Sequence, residues 1–180
     1  TIYITSDLHF RHDKIINICN RPTTPEEHDE WLIKQINSVV KTSDTVYHLG
    51  DFSFTKNIND IRKFCNRLNG KWYHILGNHD NEKVLAESFG GTRHNILGLY
   101  HELKYNGRFI VMMHYPIERW NRAHYNSLHL FGHLHTIENF HRLKPIDNRK
   151  LVSLDSNIEF KPYKLDDILN EFPLPIKNPD

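Results

Sequence analysis

Residues 6–12 read Ser-Asp-Leu-His-Phe-Arg-His, which sets Asp7 and His9 one residue apart with Arg11 and His12 directly behind them. Further along stand Gly50-Asp51, Gly77-Asn78-His79-Asp80, a single His114 and Gly132-His133-Leu134-His135. Imidazole, carboxylate and side-chain amide without thiolate form a donor set suited to borderline or hard divalent cations such as Mn²⁺, Fe²⁺ or Zn²⁺, rather than to a Cys-rich structural zinc. A lone Asp or His after a strand is ordinarily a cap or a satisfied polar contact. Five clusters in order, three of them containing a Gly that permits a tight turn, go beyond that reading.

Each cluster follows an apolar run that reads as a strand: Ile2–Thr5, Thr45–Leu49, Trp72–Leu76, Arg108–Met113 and Ser127–Phe131. In open α/β sheets ligands bind beyond the carboxyl ends of the strands, so the placement is itself informative. Between the strands, Thr24-Pro25-Glu26-Glu27 predicts a helix start running to about Val40, with Leu32, Ile36, Val39 and Val40 on one face. Ile58–Leu68 and the stretch following Asp80 to Phe89 also read as helices. Asn106-Gly107 predicts a hairpin between Tyr100–Tyr105 and Arg108–Met113. Leu151–Leu154 reads as a strand and Leu165–Asn170 as a helix before a Pro-rich tail. Alternating strands and helices in the first half imply a parallel sheet, and the second half reads as mostly antiparallel. Two mixed sheets packed face to face with helices outside would accommodate both halves.

At 180 residues the chain is most simply one domain, residues 1–180. Lys and Arg total 23 against 22 Asp and Glu, which gives no global case for a nucleic-acid partner. Residues 108–150 carry seven basic against three acidic side chains, a mild local preference for an anion. No apolar run could span a membrane, the N-terminus lacks a signal-peptide layout, and a cytoplasmic setting is expected. Cys19 and Cys65, in helix-like segments without CxxC spacing, read as buried free thiols. The composition stands out in its 14 histidines.

Taken as an ordered set, Asp7-x-His9, Gly50-Asp51, Gly77-Asn78-His79-Asp80, His114 and Gly132-His133-x-His135 resembles the calcineurin-like metallophosphoesterase superfamily, especially its small single-domain bacterial and phage members. The resemblance implies a four-layer α/β/β/α sandwich. It implies one divalent ion held by Asp7, His9, Asp51 and His135, and a second held by Asp51, Asn78, His114 and His133. Asp51 would bridge them, and the pair would lower the pKa of a shared water for in-line attack on phosphorus. Mn²⁺ is the expected metal, with Fe, Zn or Ni as alternatives. His79 would protonate the leaving oxygen or stabilise the transition state, with Asp80 accepting a hydrogen bond from its ring. The small relatives often carry Gly where this chain has Arg11.

The remaining histidines divide. His28, His48, His74, His94, His101, His129 and His141 read as structural or solvated, whereas His12 and His124 lie near ligand-bearing segments. The stretch Tyr115–Arg122 leads out of His114 with groups suited to substrates: Arg119 for phosphate and Trp120 for stacking on a base. Arg11, His12, Arg119 and Trp120 are therefore the substrate-side candidates. The expected activity is a phosphodiesterase acting on a nucleotide or a nucleic-acid end, with a phosphomonoesterase as the alternative and no obligate protein partner. A scaffold that has lost chemistry is disfavoured, because every ligand position and His79 are filled.

Overall fold

The computed structural model describes residues 1–173. In chain order it forms β1 (Ile2–Thr5), α1 (Asp13–Ile18), α2 (His28–Asn37), β2 (Thr45–Leu49), α3 (Ile58–Arg67), β3 (Lys71–Ile75), α4 (Glu82–Phe89) and β4 (His94–Gly98). There follow β5 (Tyr100–Tyr105), β6 (Arg108–Met113), β7 (Leu128–Phe131), α5 (Ile137–His141), β8 (Arg149–Leu151), β9 (Tyr163–Lys164) and α6 (Leu165–Glu171). One sheet has the order β4-β3-β2-β1-β9, in which only β9 runs antiparallel to its neighbour. The other has the order β5-β6-β7-β8.

Strand alternation sends successive side chains to two separate cores. Val46 and Trp72 pack under Leu32 and Ile36 of α2, Ile61 and Phe64 of α3, and Leu85 and Phe89 of α4. Ile4, Leu49 and Ile75 face Ile110, Met112, Leu128 and Leu130 across the gap between the sheets, joined by Leu165 and Ile168 of α6. The fourth layer is thin. Trp120 covers His129, and Phe140 of α5 covers Phe131, on the outer face of β7. The result is the expected arrangement of two mixed sheets flanked by helices.

Several elements differ from expectation. The second sheet is antiparallel only in its hairpin, because β6–β7 and β7–β8 are parallel pairs. Residues 114–127 and 132–148 carry the chain back between them, a return that parallel pairing requires. The helix expected from Thr24 begins at His28; Pro25–Glu27 form a turn, although Thr24 Oγ1 still reaches Glu27 Oε2 at 3.4 Å. The strand expected at Leu151–Leu154 ends at Leu151 and gives way to a 3₁₀ turn at Leu154–Ser156. Cys19 closes α1 and Cys65 lies in α3, both buried and free. The Pro-rich stretch beyond residue 173 lies outside the described residues. Among the described residues no helix is long and apolar enough to cross a membrane.

Three buried histidines form a line across the first sheet. His94 Nε2 lies 3.2 Å from the Cys65 carbonyl, which can only accept, so the proton is on Nε2. His94 Nδ1 then accepts from His74 Nε2–H at 2.9 Å, and His74 Nδ1 accepts from His48 Nδ1–H at 3.3 Å. His48 Nε2 ends the line with no hydrogen-bond partner among the described residues. Each donor meets an acceptor only if all three rings are neutral. Burial pushes all three pKa values down, His94 to about 3. The unfolded chain therefore binds protons that the folded one refuses, and the stability is complete only above the ordinary histidine value. Urea unfolding of metal-free protein should lose up to about 1.4 kcal/mol per pH unit for each of these rings as the pH falls below about 6.5. Equal unfolding free energies at about pH 7.5 and pH 5 would overturn the assignment of three neutral rings.

Candidate metal centre

The ligand-type residues collect at the carboxyl ends of both sheets. Asp7 and His9 follow β1, Asp51 follows β2, Asn78 follows β3, His114 follows β6, and His133 and His135 follow β7. Leu8, wholly buried between the first two, packs beneath α2 and α3. His9 Nε2 lies 3.6 Å and His114 Nε2 lies 3.5 Å from the same oxygen, Asp51 Oδ2. His135 Nε2 is 3.8 Å from Asp7 Oδ1, and His114 Nε2 is 3.0 Å from Asn78 Oδ1. The His133 ring meets that of His114 edge to face at 5.1 Å, and its backbone N–H donates to Asp7. Asp7, His9 and His135 have donor atoms mutually within 4.8 Å, as do Asp7, Asp51 and His114.

The hydrogen bonds decide what could sit there. His114 Nδ1–H donates to the Leu49 carbonyl at 2.8 Å, which leaves Nε2 as a lone pair facing Asp51 Oδ2. His135 Nδ1–H donates to Asp155 Oδ2 at 2.8 Å, and its Nε2 faces Asp7. Among the described residues neither ring nitrogen of the buried His9 has a hydrogen-bond partner. Acceptors thus face acceptors in a buried place, which is unfavourable unless a cation lies among them. These residues fit divalent ions, by donor type and by convergence. Burial raises the Asp7 pKa and lowers that of His9, while Asp155 overcomes the burial of His135 and pushes it up to about 10.

The backbone beneath the ligands is strained. Asp7, His9, Arg11, Asp51, His133 and His135 all have left-handed dihedrals, with φ between 53° and 67°. Asp and His enter this region more readily than other side chains, at a cost on the order of 1 kcal/mol each. Close approach accounts for two of the glycines. A Cβ on Gly77 would fall onto Asp51 Oδ1, and one on Gly132 onto Ser6 Oγ.

Three expectations for the site need correction. Asp80 does not hold the His79 ring: its carboxylate accepts the backbone N–H groups of Asp51 (2.8 Å), Phe52 (2.9 Å) and Gly77 (2.8 Å) and so clamps the second and third ligand loops together. Arg11 does not point into the site. Its guanidinium pairs with Asp29 at 3.2 Å and Asp60 at 3.7 Å, on α2 and α3. Its left-handed φ of 61° is a conformation that glycine adopts more readily. Trp120 is buried, donates its indole N–H to Ser127 Oγ at 2.9 Å and packs on His129, so it offers no open face for a base.

His79 is exposed at the rim; its backbone N–H donates to Asp51 Oδ1 at 2.9 Å. His12 stacks at 4.0 Å on Phe54, an exposed ring whose centroid is 5.4 Å from that of His79. Arg119 and His124 are exposed on the segment after His114. Sequence reasoning missed Phe54, Arg21 and Asp155. An isolated Phe or Arg in a loop carries no pattern, and Asp155 meets its partners from 20 and 134 residues away.

This fold and ligand arrangement define a class, and the chain belongs to it: the calcineurin-like phosphoesterase superfamily domain matches residues 1–152. An uncharacterized protein of Methanocaldococcus jannaschii is 34% identical over 170 residues, covering 92% of this chain and 87% of its own length. The gene 66 protein of Mycobacterium phage L5 is 35% identical over 100 residues, 54% of this chain and 46% of its own. Among solved structures, a protein of unknown function from Aquifex aeolicus aligns with a TM-score of 0.71 and 25% identity, over 94% of this chain and 98% of that one.

Mn²⁺ should raise the melting temperature of the metal-free protein, since an ion at a hundred times its Kd adds about 2.7 kcal/mol. Gly77→Ala should remove that shift, and a wild-type melting temperature insensitive to Mn²⁺, Zn²⁺, Ni²⁺ and chelator alike would contradict the metal reading. Arg11→Gly relieves about 1 kcal/mol of backbone strain and forfeits two half-exposed ion pairs worth about as much. Stability should stay within about 1 kcal/mol of wild type and KM should not change; a several-fold rise in KM would return Arg11 to the substrate side.

Proposed function

We propose that the protein is a two-metal phosphodiesterase acting on a nucleotide or a nucleic-acid end. The observation that carries this reading is Asp51 Oδ2, which lies about equally far from His9 Nε2 and His114 Nε2, at 3.6 and 3.5 Å, as a carboxylate shared between two cations would. When bound, the ions would polarise the phosphoryl oxygens and lower the pKa of a water held between them. Asp7, His9, Asp51 and His135 would hold one, and Asp51, Asn78, His114 and His133 the other. Mn²⁺ is the metal we assign.

The protein's own residues supply the rest. His79 stands exposed beside the cluster and can carry the proton that the leaving oxygen takes up, a role worth about 10²–10⁴-fold. Asp80 acts one step back, since its three backbone hydrogen bonds tie together the two loops from which Asp51 and His79 project. The balance between diester and monoester rests on the surroundings. The guanidiniums of Arg11 and Arg21, which follow the first ligand loop in sequence, are both committed to carboxylates. The exposed group beside His79 is instead the aromatic ring of Phe54, backed by His12. A rim with an aromatic face, and with the guanidiniums of Arg11 and Arg21 already neutralised, suits a singly charged diester with an organic group on each side better than a monoester dianion. His12 and Arg119 remain in the proposal as substrate contacts.

With Mn²⁺, bis-p-nitrophenyl phosphate and a nucleoside aryl diester should turn over faster than p-nitrophenyl phosphate. His79→Ala should lower kcat by about 10²–10⁴-fold. Phe54→Ala should raise KM for the nucleoside diester several-fold and leave kcat nearly unchanged. Faster turnover of the monoester would reverse the substrate assignment.

A further inference from the structure

Arg21 is a wholly buried cation, and the five N–H bonds of its guanidinium are all used. Nε donates to Asp155 Oδ1 at 2.7 Å and Nη2 to Asp155 Oδ2 at 2.9 Å, a bidentate pair. Nη2 also donates to the Asp7 carbonyl at 2.7 Å, and Nη1 to the Leu8 carbonyl at 2.8 Å. The fifth bond goes from Nη1 to His28 Nε2 at 2.8 Å, which makes His28 an acceptor and a neutral ring. Asp155 in turn accepts His135 Nδ1–H on the oxygen it shares with Nη2.

One guanidinium therefore grips the backbone of the first ligand loop, after β1, and through Asp155 the ring that follows β7 in the other sheet. Asp155 lies outside the segment matched to the family, and the ligand pattern includes neither residue. Cys19, His135 and Asp155 have donor atoms within 4.8 Å of one another and could be mistaken for a further cation site. The guanidinium on both Asp155 oxygens already supplies the positive charge there, so the cluster orients rather than ligates.

We propose that Arg21 and Asp155 are positioning residues of the centre. They set the distance between the Asp7–His9 loop and His135 and hold His135 with its proton on Nδ1 and its Nε2 lone pair turned inward. The proposal rests on the reading that Asp7, His9 and His135 share a cation. Partners of this kind are typically worth about 10–100-fold in metal affinity. Lysine cannot replace Arg21, because a single ammonium with three protons cannot reach five acceptors.

Calorimetric titration of Mn²⁺ into metal-free full-length protein tests this. Wild type should show two sites. Arg21→Lys and Asp155→Asn should each weaken one of them about 10–100-fold and spare the other, and the double variant should lose no more than the worse single one. Circular dichroism of the metal-free variants checks that they fold. Equal weakening of both sites, unchanged affinity in a folded variant, or additive losses would each overturn the proposal. A second measurement needs no variant: long-range ¹H–¹⁵N spectra of wild type loaded with Zn²⁺ should show His135 protonated at Nδ1, and a proton at Nε2 would overturn it. Failure of the underlying metal reading is recognised separately, because wild type itself would then bind no ion.

Discussion

Everything at the carboxyl ends of the two sheets answers to one electrostatic problem: buried acceptors that point at one another. Asp7 and Asp51 are almost entirely out of solvent, and the nitrogens of His9, His114 and His135 turn toward their oxygens. Left alone, such a cluster would spread apart or fill with protons. It is held in place by directional hydrogen bonds on the far sides of His114 and His135 and between the loops. The Leu49 carbonyl fixes His114, Asp155 fixes His135, and Asp80 ties the second and third loops by their amides. The hydrogen bonds are spent on the backs of the ligands, which leaves their fronts for a cation.

This division also explains the two-sheet architecture. Asp7, His9, Asp51 and Asn78 come from the first sheet, and His114, His133 and His135 from the second. The apolar layer of Ile4, Leu49, Ile75, Ile110, Met112, Leu128 and Leu130 sets how far apart the two halves can be. Core packing thus fixes the spacing coarsely. The crossing contacts from His133 N–H to Asp7 and from the Arg21–Asp155 pair to His135 adjust it finely.

The candidate ligands were legible in the sequence because each follows a strand-like run and several are introduced by glycine, a punctuation that survives without knowledge of the fold. What lay outside that pattern was harder to read. β4 and β9 are an edge strand and a two-residue strand. The parallel pairing of β7 and β8 has no sequence signature, since only a short helix and irregular chain connect them. Trp120 looked like a stacking surface from its Arg neighbours, and its burial against His129 depends on a partner in another strand. Asp80 adjoins His79, which suggested side-chain pairing, but the reverse loop geometry turns its carboxylate onto three amides. Long-range polar partners are set by the assembled fold, and local pattern cannot supply them.

The left-handed backbone at Asp7, His9, Asp51, His133 and His135 acts as a filter on mutation. β-branched and bulky side chains are strained there, while glycine, asparagine, aspartate and histidine are tolerated. That short alphabet contains the oxygen and nitrogen donors of the candidate centre. Exchanges among Asp, Asn and His at these positions change the charge and softness of the centre with little cost to the chain beneath it, so metal preference can drift by single substitutions while the loop shapes persist.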